Sequence, residues 1–294
     1  EKYGQRLVDV RTPPPDLPVA TGRKRDGKRI LTVGTDCALG KKYTALAIAK
    51  ALCARGINSD FRATGQTGIL IAGAGIALDS VVADFAAGAA ELLSPDNAAD
   101  HWDVIEGQGS LYHPAYAGVS TALLHGSQPD AFVICHDPSR THVLGHPHFP
   151  LPDIEDLAEL TIRLGRRTNP AIRCAGVSLN TSALGSEKAL SLLTGETARL
   201  GMPVADPMRG GDLFMPLVKG IGPTLLPKAE PFRFAIGKPI PTAHLQGQEK
   251  DPAVLWQLRE QVSDAITGML SRMDEERKDQ PRPLWRKVLG ARKH

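Results

Sequence analysis

The chain has 294 residues, 42% of them apolar, enough for one large or two ordinary domains with a real core. A net charge of +3 and a pI of about 8.7 are too mild a basic excess to point to nucleic acid. No apolar run reaches membrane-span length, and the four cysteines, Cys37, Cys53, Cys135 and Cys174, lie far apart without a C-x-x-C pair. That argues against a disulfide framework or a zinc site and for a reducing, cytoplasmic setting.

Residues 1–28 read as a linker. Leu7–Val10 has the makings of a short strand, Pro13–Pro15 imposes an extended path, and Lys24–Lys28 is charged and glycine-broken. The chain opens at Glu1 without methionine, so part of its beginning is expected to be missing, and no residue stretch present reads as a signal peptide.

The decisive stretch runs from Arg29 to Gly56. Ile30–Val33 is an apolar run of strand length, Gly34–Gly40 a glycine-bounded loop, and Leu46, Ala47, Ala49, Ala51 and Leu52 fit a helix that begins at Lys41 and ends at Arg55–Gly56. Strand, glycine loop, lysine and helix together make a phosphate-binding loop, in which backbone N–H groups and a helix N-terminus face an anion. The phosphate-binding candidates are Gly34, Thr35, Asp36, Cys37, Gly40, Lys41, Lys42 and Thr44. The spacing is unusual, because five residues separate Gly34 from Gly40. The usual magnesium-holding hydroxyl after the lysine is replaced by Lys42, and the nearest hydroxyl is Thr44. Magnesium held in the usual way is therefore not expected. The plain alternative is a glycine turn before an ordinary helix.

A second strand, Asn58–Ala63, leads into Thr64–Gly68, where two glycines, two hydroxyls and an amide suit ligand contact at a sheet's carboxyl edge. Thr64, Gln66 and Thr67 are substrate-binding candidates, with a simple turn as the alternative. Ala77–Leu93 reads as a helix. Asp103–Gly109 reads as a third strand and its exit, with Glu106 placed to hold magnesium, orient a substrate or cap a turn, and with Gln108 beside it. His113–Pro114 and Gly118–His125 read as loop and short helix, and Asp130–Cys135 as a strand buried on both faces. His136, a base candidate, and Arg140, an anion binder, follow on the same edge. His142, His146 and His148 crowd a proline-rich loop whose spacing matches no closed metal site, so no metal is assigned. Asp153–Arg167 is an amphipathic helix with Ile154, Leu157, Leu160 and Leu164 on one face. Strand Ala175–Thr181, helix Glu187–Leu200 and short strand Pro203–Asp206 complete the alternation, with Asn180 a weak ligand candidate.

Gly-Thr-Asp-Cys-Ala-Leu-Gly-Lys-Lys, from Gly34 to Lys42, resembles the Gly-Thr-Asp-x-x-x-Gly-Lys-Thr loop of dethiobiotin synthetase and related P-loop proteins. Leu31–Leu46, Phe61–Gly73, His101–Leu111 and Leu124–Ala131 together resemble the DgcN family of D-glutamate N-acetyltransferases, over about residues 3–209. That resemblance implies acetyl transfer from acetyl-CoA to the amine of D-glutamate or a similar small-molecule substrate, with coenzyme A phosphates on the glycine loop. His136 or Glu106 would act as base, and backbone N–H groups near Gly65–Gly68 would stabilise the tetrahedral oxyanion. It also implies an additional N-terminal α/β domain ahead of Glu1. A homo-oligomer is expected. Two alternatives stay open: an ATP-dependent ligase or kinase of the dethiobiotin synthetase kind using magnesium, and a non-catalytic nucleotide-binding protein.

From about Gly210 the sequence changes character. Met215–Pro227, Phe232–Ile240 and a helix over about Ala253–Arg272 loosely resemble the C-terminal end of lysophospholipid acyltransferase-like proteins, without the part that would carry their catalysis. This segment is expected to be a small, loosely attached strand-and-helix appendage. Its end, Pro281–His294, is a basic amphipathic tail suited to weak contact with an anionic membrane surface or to plain solvation. The fold expected over 29–209 is a three-layer α/β P-loop domain with a mostly parallel sheet.

Overall fold

A computed structural model of the chain describes residues 9–209 and 251–278. The chain divides into two compact units, Glu1–Pro231 and Phe232–His294. In the first, six strands form one sheet: β1 (Lys28–Gly34), β2 (Ser59–Arg62), β3 (Trp102–Ile105), β4 (Ala131–His136), and two strands numbered later in the chain, Arg173–Leu179 and Val204–Ala205. A separate two-stranded hairpin holds β5 (His142–Val143) and β6 (His146–Pro150), so the two late strands are β7 and β8. The sheet order is β2-β3-β1-β4-β7-β8, with every neighbouring pair parallel.

Alternation along the strands divides the core. Ile30, Val104, Ala131, Val133 and Ala175 face α1 (Lys41–Cys53) through Ala45, Ile48 and Leu52. Leu31, Ile105, Phe132, Ile134, Val177 and Leu179 face the opposite layer. That layer is built from α3 (Ala83–Leu93), α4 (Ala117–Ser127), α5 (Ile154–Gly165) and α6 (Ser186–Leu200). Parallel strands need crossover helices on both faces, and the continuous apolar run of β4 reflects burial on both sides. With β1 central and chain connections leaving it in both directions, the carboxyl ends of β1, β3, β4 and β7 border one crevice, the usual ligand position in such sheets.

Several elements differ from their sequence reading. The helix expected over 77–93 begins only at Ala83. A 3₁₀ turn, Leu78–Ser80, comes first, and Val81 and Val82 are extended between the two. Adjacent β-branched residues lose rotamer freedom in a helix, which favours that break. Thr64–Gly68 is not a free loop, because Gln66–Ala72 forms the short helix α2. The histidine-rich loop is the β5–β6 hairpin. On α5 the buried face is Ile154, Leu157, Ala158, Thr161 and Gly165, with Leu160 and Leu164 at its margin.

The described part of 1–28 is not a solvated connector. Thr21 and Gly22 donate backbone N–H to Glu91 on α3, and the Arg25 guanidinium is buried against the carbonyls of Ser94 and Gly126. Asp9–Thr12 is a turn closed by the Asp9 carboxylate, where a strand over Leu7–Val10 was expected. In the second unit, helix α7 (Pro252–Lys278) is present where a helix was expected. The strands expected near Phe232 and the basic tail lie outside the described residues. No helix among the described residues is long and apolar enough to cross a membrane.

Candidate functional site

β1 delivers the chain into the loop Thr35–Gly40, and Gly40, at φ +103°, caps α1. That left-handed turn is costly for any residue with a Cβ, which accounts for the second loop glycine. No side chain caps α1, no acid lies in its first turn, and its first two residues are Lys41 and Lys42. A positive dipole end without a side-chain cap and two lysines form a positive pole, the arrangement that an anion neutralises. Lys41, 6% exposed, donates from Nζ to the Asp36 carbonyl at 2.7 Å, so the ammonium is folded over the loop's own backbone. Burial pulls its pKa down, opposed by Cys135, Cys37 and Asp36.

The loop is held from below by Asp36 and Arg140. The buried Asp36 carboxylate accepts from Cys37 N–H at 2.6 Å, Leu144 N–H at 2.8 Å and the Arg140 guanidinium at 3.3 Å. Arg140 also donates to the carbonyls of Cys37 (2.9 Å) and Ala38 (3.1 Å) and pairs with Asp137 at 3.5 Å. Its expected role as a substrate anion binder is therefore corrected, since its donors fix the loop. Thr44 is corrected likewise. Its hydroxyl is buried one turn into α1 and bonds Ser178 on β7 at 2.8 Å, away from the mouth of the loop.

Glu106 leaves β3 beside this loop and is 5% exposed. Its Oε2 accepts from Thr64 N–H (3.0 Å) and Gly65 N–H (3.2 Å), fixing the turn that leads into α2. A Cβ on Gly68 would stand 2.2 Å from that oxygen, so only glycine leaves room for the carboxylate. Burial pushes the Glu106 carboxyl up, against the N–H bonds and the charges of Lys42 and Lys41. The oxyanion role expected near Gly65–Gly68 is narrowed accordingly, because the Gly65 N–H is already engaged. Thr64 donates its hydroxyl to the Glu106 carbonyl at 2.7 Å and accepts from Gln108 at 3.0 Å, joining three expected site residues in one network. Gln66 turns outward to Asp79 at 3.0 Å, away from Glu106, and Thr67 is exposed.

His136 ends β4, its Nδ1 2.9 Å from the Thr35 hydroxyl, and burial pulls its pKa down against Asp137 and Glu196. Asn180 N–H donates to the His136 carbonyl at 2.9 Å, which sets the next strand's exit alongside. Its side-chain oxygen accepts from Ser182 N–H.

Two clusters among the described residues have atoms close enough to consider a cation, Asp36–Cys37–His113 and Asp60–His101–Asp103. In the first, His113 Nδ1 already accepts backbone N–H bonds, which leaves Nε2 protonated and unsuited to ligation. In the second, Arg62 bonds Asp103 at 2.7 Å and supplies the positive charge itself.

Residues 18–215 match the family described as "Domain of unknown function (DUF1611_C) P-loop domain". The chain belongs to the DUF1611 family. Similar curated proteins are the D-glutamate N-acetyltransferase of Tritonibacter scottomollicae, 53% identical over 211 residues, and that of a Pseudoalteromonas species, 52% identical over 211 residues. Those alignments cover 72% of this chain and 63% and 64% of the relatives, so the chain spans just under two thirds of their length. A crystal structure of a DUF1611 family protein from Anabaena variabilis is similar with a TM-score of 0.69 and 37% identity, covering 74% of this chain and 64% of that one.

Within this DUF1611 P-loop domain, His113 was not singled out in the sequence. The structure buries it at 2% exposure, 3.9 Å from Asp36. The signal available was a histidine–proline pair just beyond the Glu106–Gly109 exit.

Proposed function

We propose that the domain transfers acetyl from acetyl-CoA to the amine of D-glutamate or a similar amino acid, in the cytoplasm. The observation that carries this reading is the uncapped, doubly lysine-bearing start of α1 beneath the Gly34–Gly40 loop, which calls for a phosphate-bearing ligand. The activity for which two relatives at 52–53% identity are named supplies the chemistry. Gly34–Lys42 would hold coenzyme A phosphates, with Lys42 where a magnesium-holding hydroxyl usually stands and the nearest hydroxyl after it, Thr44, engaged by Ser178.

The acceptor amine must lose a proton as it attacks the thioester carbon, and the coenzyme A thiolate then leaves. Glu106 suits the base role because burial raises its carboxyl toward neutrality and its Oε2 is oriented by two N–H groups. His136 is the second base candidate. Gln108, Thr67 and Asn180 border the same edge as acceptor contacts.

The test is acetyl transfer by the full chain, followed as free thiol release from acetyl-CoA with D-glutamate, L-glutamate or no acceptor. Release that depends on D-glutamate and is lost in Glu106→Gln supports the reading. Acceptor-independent release, or turnover that requires ATP and magnesium, rejects it.

A further inference from the structure

The buried ring of His113 is fixed more tightly than a packing residue requires. Its Nδ1 accepts Ala115 N–H at 3.0 Å and Tyr116 N–H at 3.2 Å, at the start of α4. A backbone N–H can only donate, so Nδ1 carries no proton and the neutral ring bears its hydrogen on Nε2. Tyr116 and His146 rings flank it, with centroids 4.4 Å and 5.1 Å away. The Nε2 lies beside the glycine loop, 3.9 Å from Asp36 Oδ1, beyond hydrogen-bond reach. Cys37 Sγ lies within 4.8 Å. Asp36 is held in place by Cys37 N–H on Oδ1 and by Leu144 N–H and Arg140 on Oδ2. No acceptor among the described residues lies within hydrogen-bond reach of Nε2, so the N–H is left for a ligand acceptor.

We propose that His113 presents its Nε2–H, as a neutral fixed donor, to an anionic or polarised oxygen of the ligand seated on the Gly34–Gly40 loop. Burial, with His146 and Lys41 nearby, lowers its pKa against the pull of Asp36, which keeps the ring neutral. A neutral donor of this kind binds a phosphoryl oxygen or polarises a carbonyl without exchanging a proton. Two sources supply such an oxygen, the coenzyme A phosphates and the acetyl thioester. This step rests on the acetyl-transfer reading for its ligand but not for its geometry.

The experiment is two-bond proton–nitrogen NMR of the full chain with labelled histidine, His113 being identified by its loss in His113→Gln. The expected free-state signal is the Nε2–H tautomer. Its proton should move downfield with inorganic phosphate and coenzyme A if the acceptor is phosphoryl, and only with acetyl-CoA if it is the thioester. An Nδ1–H tautomer, or no shift with any of these or with ATP–magnesium, overturns the proposal. A shift with ATP–magnesium alone leaves the donor role standing and removes the coenzyme A reading. In affinity, His113→Ala should weaken the responsive probe about tenfold, as expected for loss of one hydrogen bond to a charged group, while His113→Gln, which restores a donor, stays within about threefold. Equal affinity of the Ala variant and the wild type also overturns it.

Discussion

At the scale of single residues, the site separates groups that face a ligand from groups that hold others in place. On the proposed reading, Lys41 belongs to the first kind. Lys41→Met keeps the buried stem and removes the charge, so coenzyme A affinity should fall at least about a hundredfold while the melting temperature holds, as titration calorimetry and thermal unfolding would record. Thr44 belongs to the second. Thr44→Val leaves Ser178 without its buried partner and should cost about 1–3 kcal/mol of stability with little change in ligand affinity. A large affinity loss in that variant would return Thr44 to the ligand set.

Glu106 carries a pH prediction. Its folded pKa is raised, so its contribution to stability is fully present below the unfolded value and is lost as pH rises through the folded value. A base works only when deprotonated, so kcat/KM should climb through a limb lying above the ordinary glutamate range, and Glu106→Gln should abolish the activity together with that limb. An unchanged acidic limb in an active Gln variant would show that Glu106 only fixes the turn before α2.

Among elements, β1, its loop and α1 were legible because their sequence signals agree: an apolar run, bounding glycines, a lysine and an alanine-rich helix with a glycine stop. Positions governed by distant partners were not. Nothing local says that Arg140 clamps the loop across 102–104 residues of sequence, or that Thr44 meets Ser178. The α2 helix was hidden because the group that fixes the turn before it, the Glu106 carboxylate, arrives from the end of β3. Gly68→Ala tests that link. The added methyl meets the Glu106 carboxylate, so the variant should be destabilised by about 1–3 kcal/mol and lose activity together, read by thermal unfolding and initial rates. Full activity would mean that the carboxylate has room to shift.

For the molecule as a whole, the α/β alternation and the parallel sheet were readable from period and length of the apolar runs. His113 was not, because its importance lies in which nitrogen faces the helix and which faces the loop. The six-stranded sheet centres on Phe132, fully buried among α4, α5 and the neighbouring strands, and Phe132→Ala should cost about 3–5 kcal/mol in denaturant unfolding. Leu70, 71% exposed, and Ile71 on α2 offer apolar surface consistent with the proposed homo-oligomer, and a monomer by light scattering would remove that part of the reading.

The central claim is that the glycine loop and Lys41 hold the phosphates of coenzyme A without a metal. Calorimetric titration of acetyl-CoA into the full chain, with EDTA present and again with magnesium, tests it most directly. The account predicts saturable binding of equal affinity in both buffers, lost in Lys41→Met. Binding that needs magnesium, or that survives the Lys41 substitution unchanged, would contradict it.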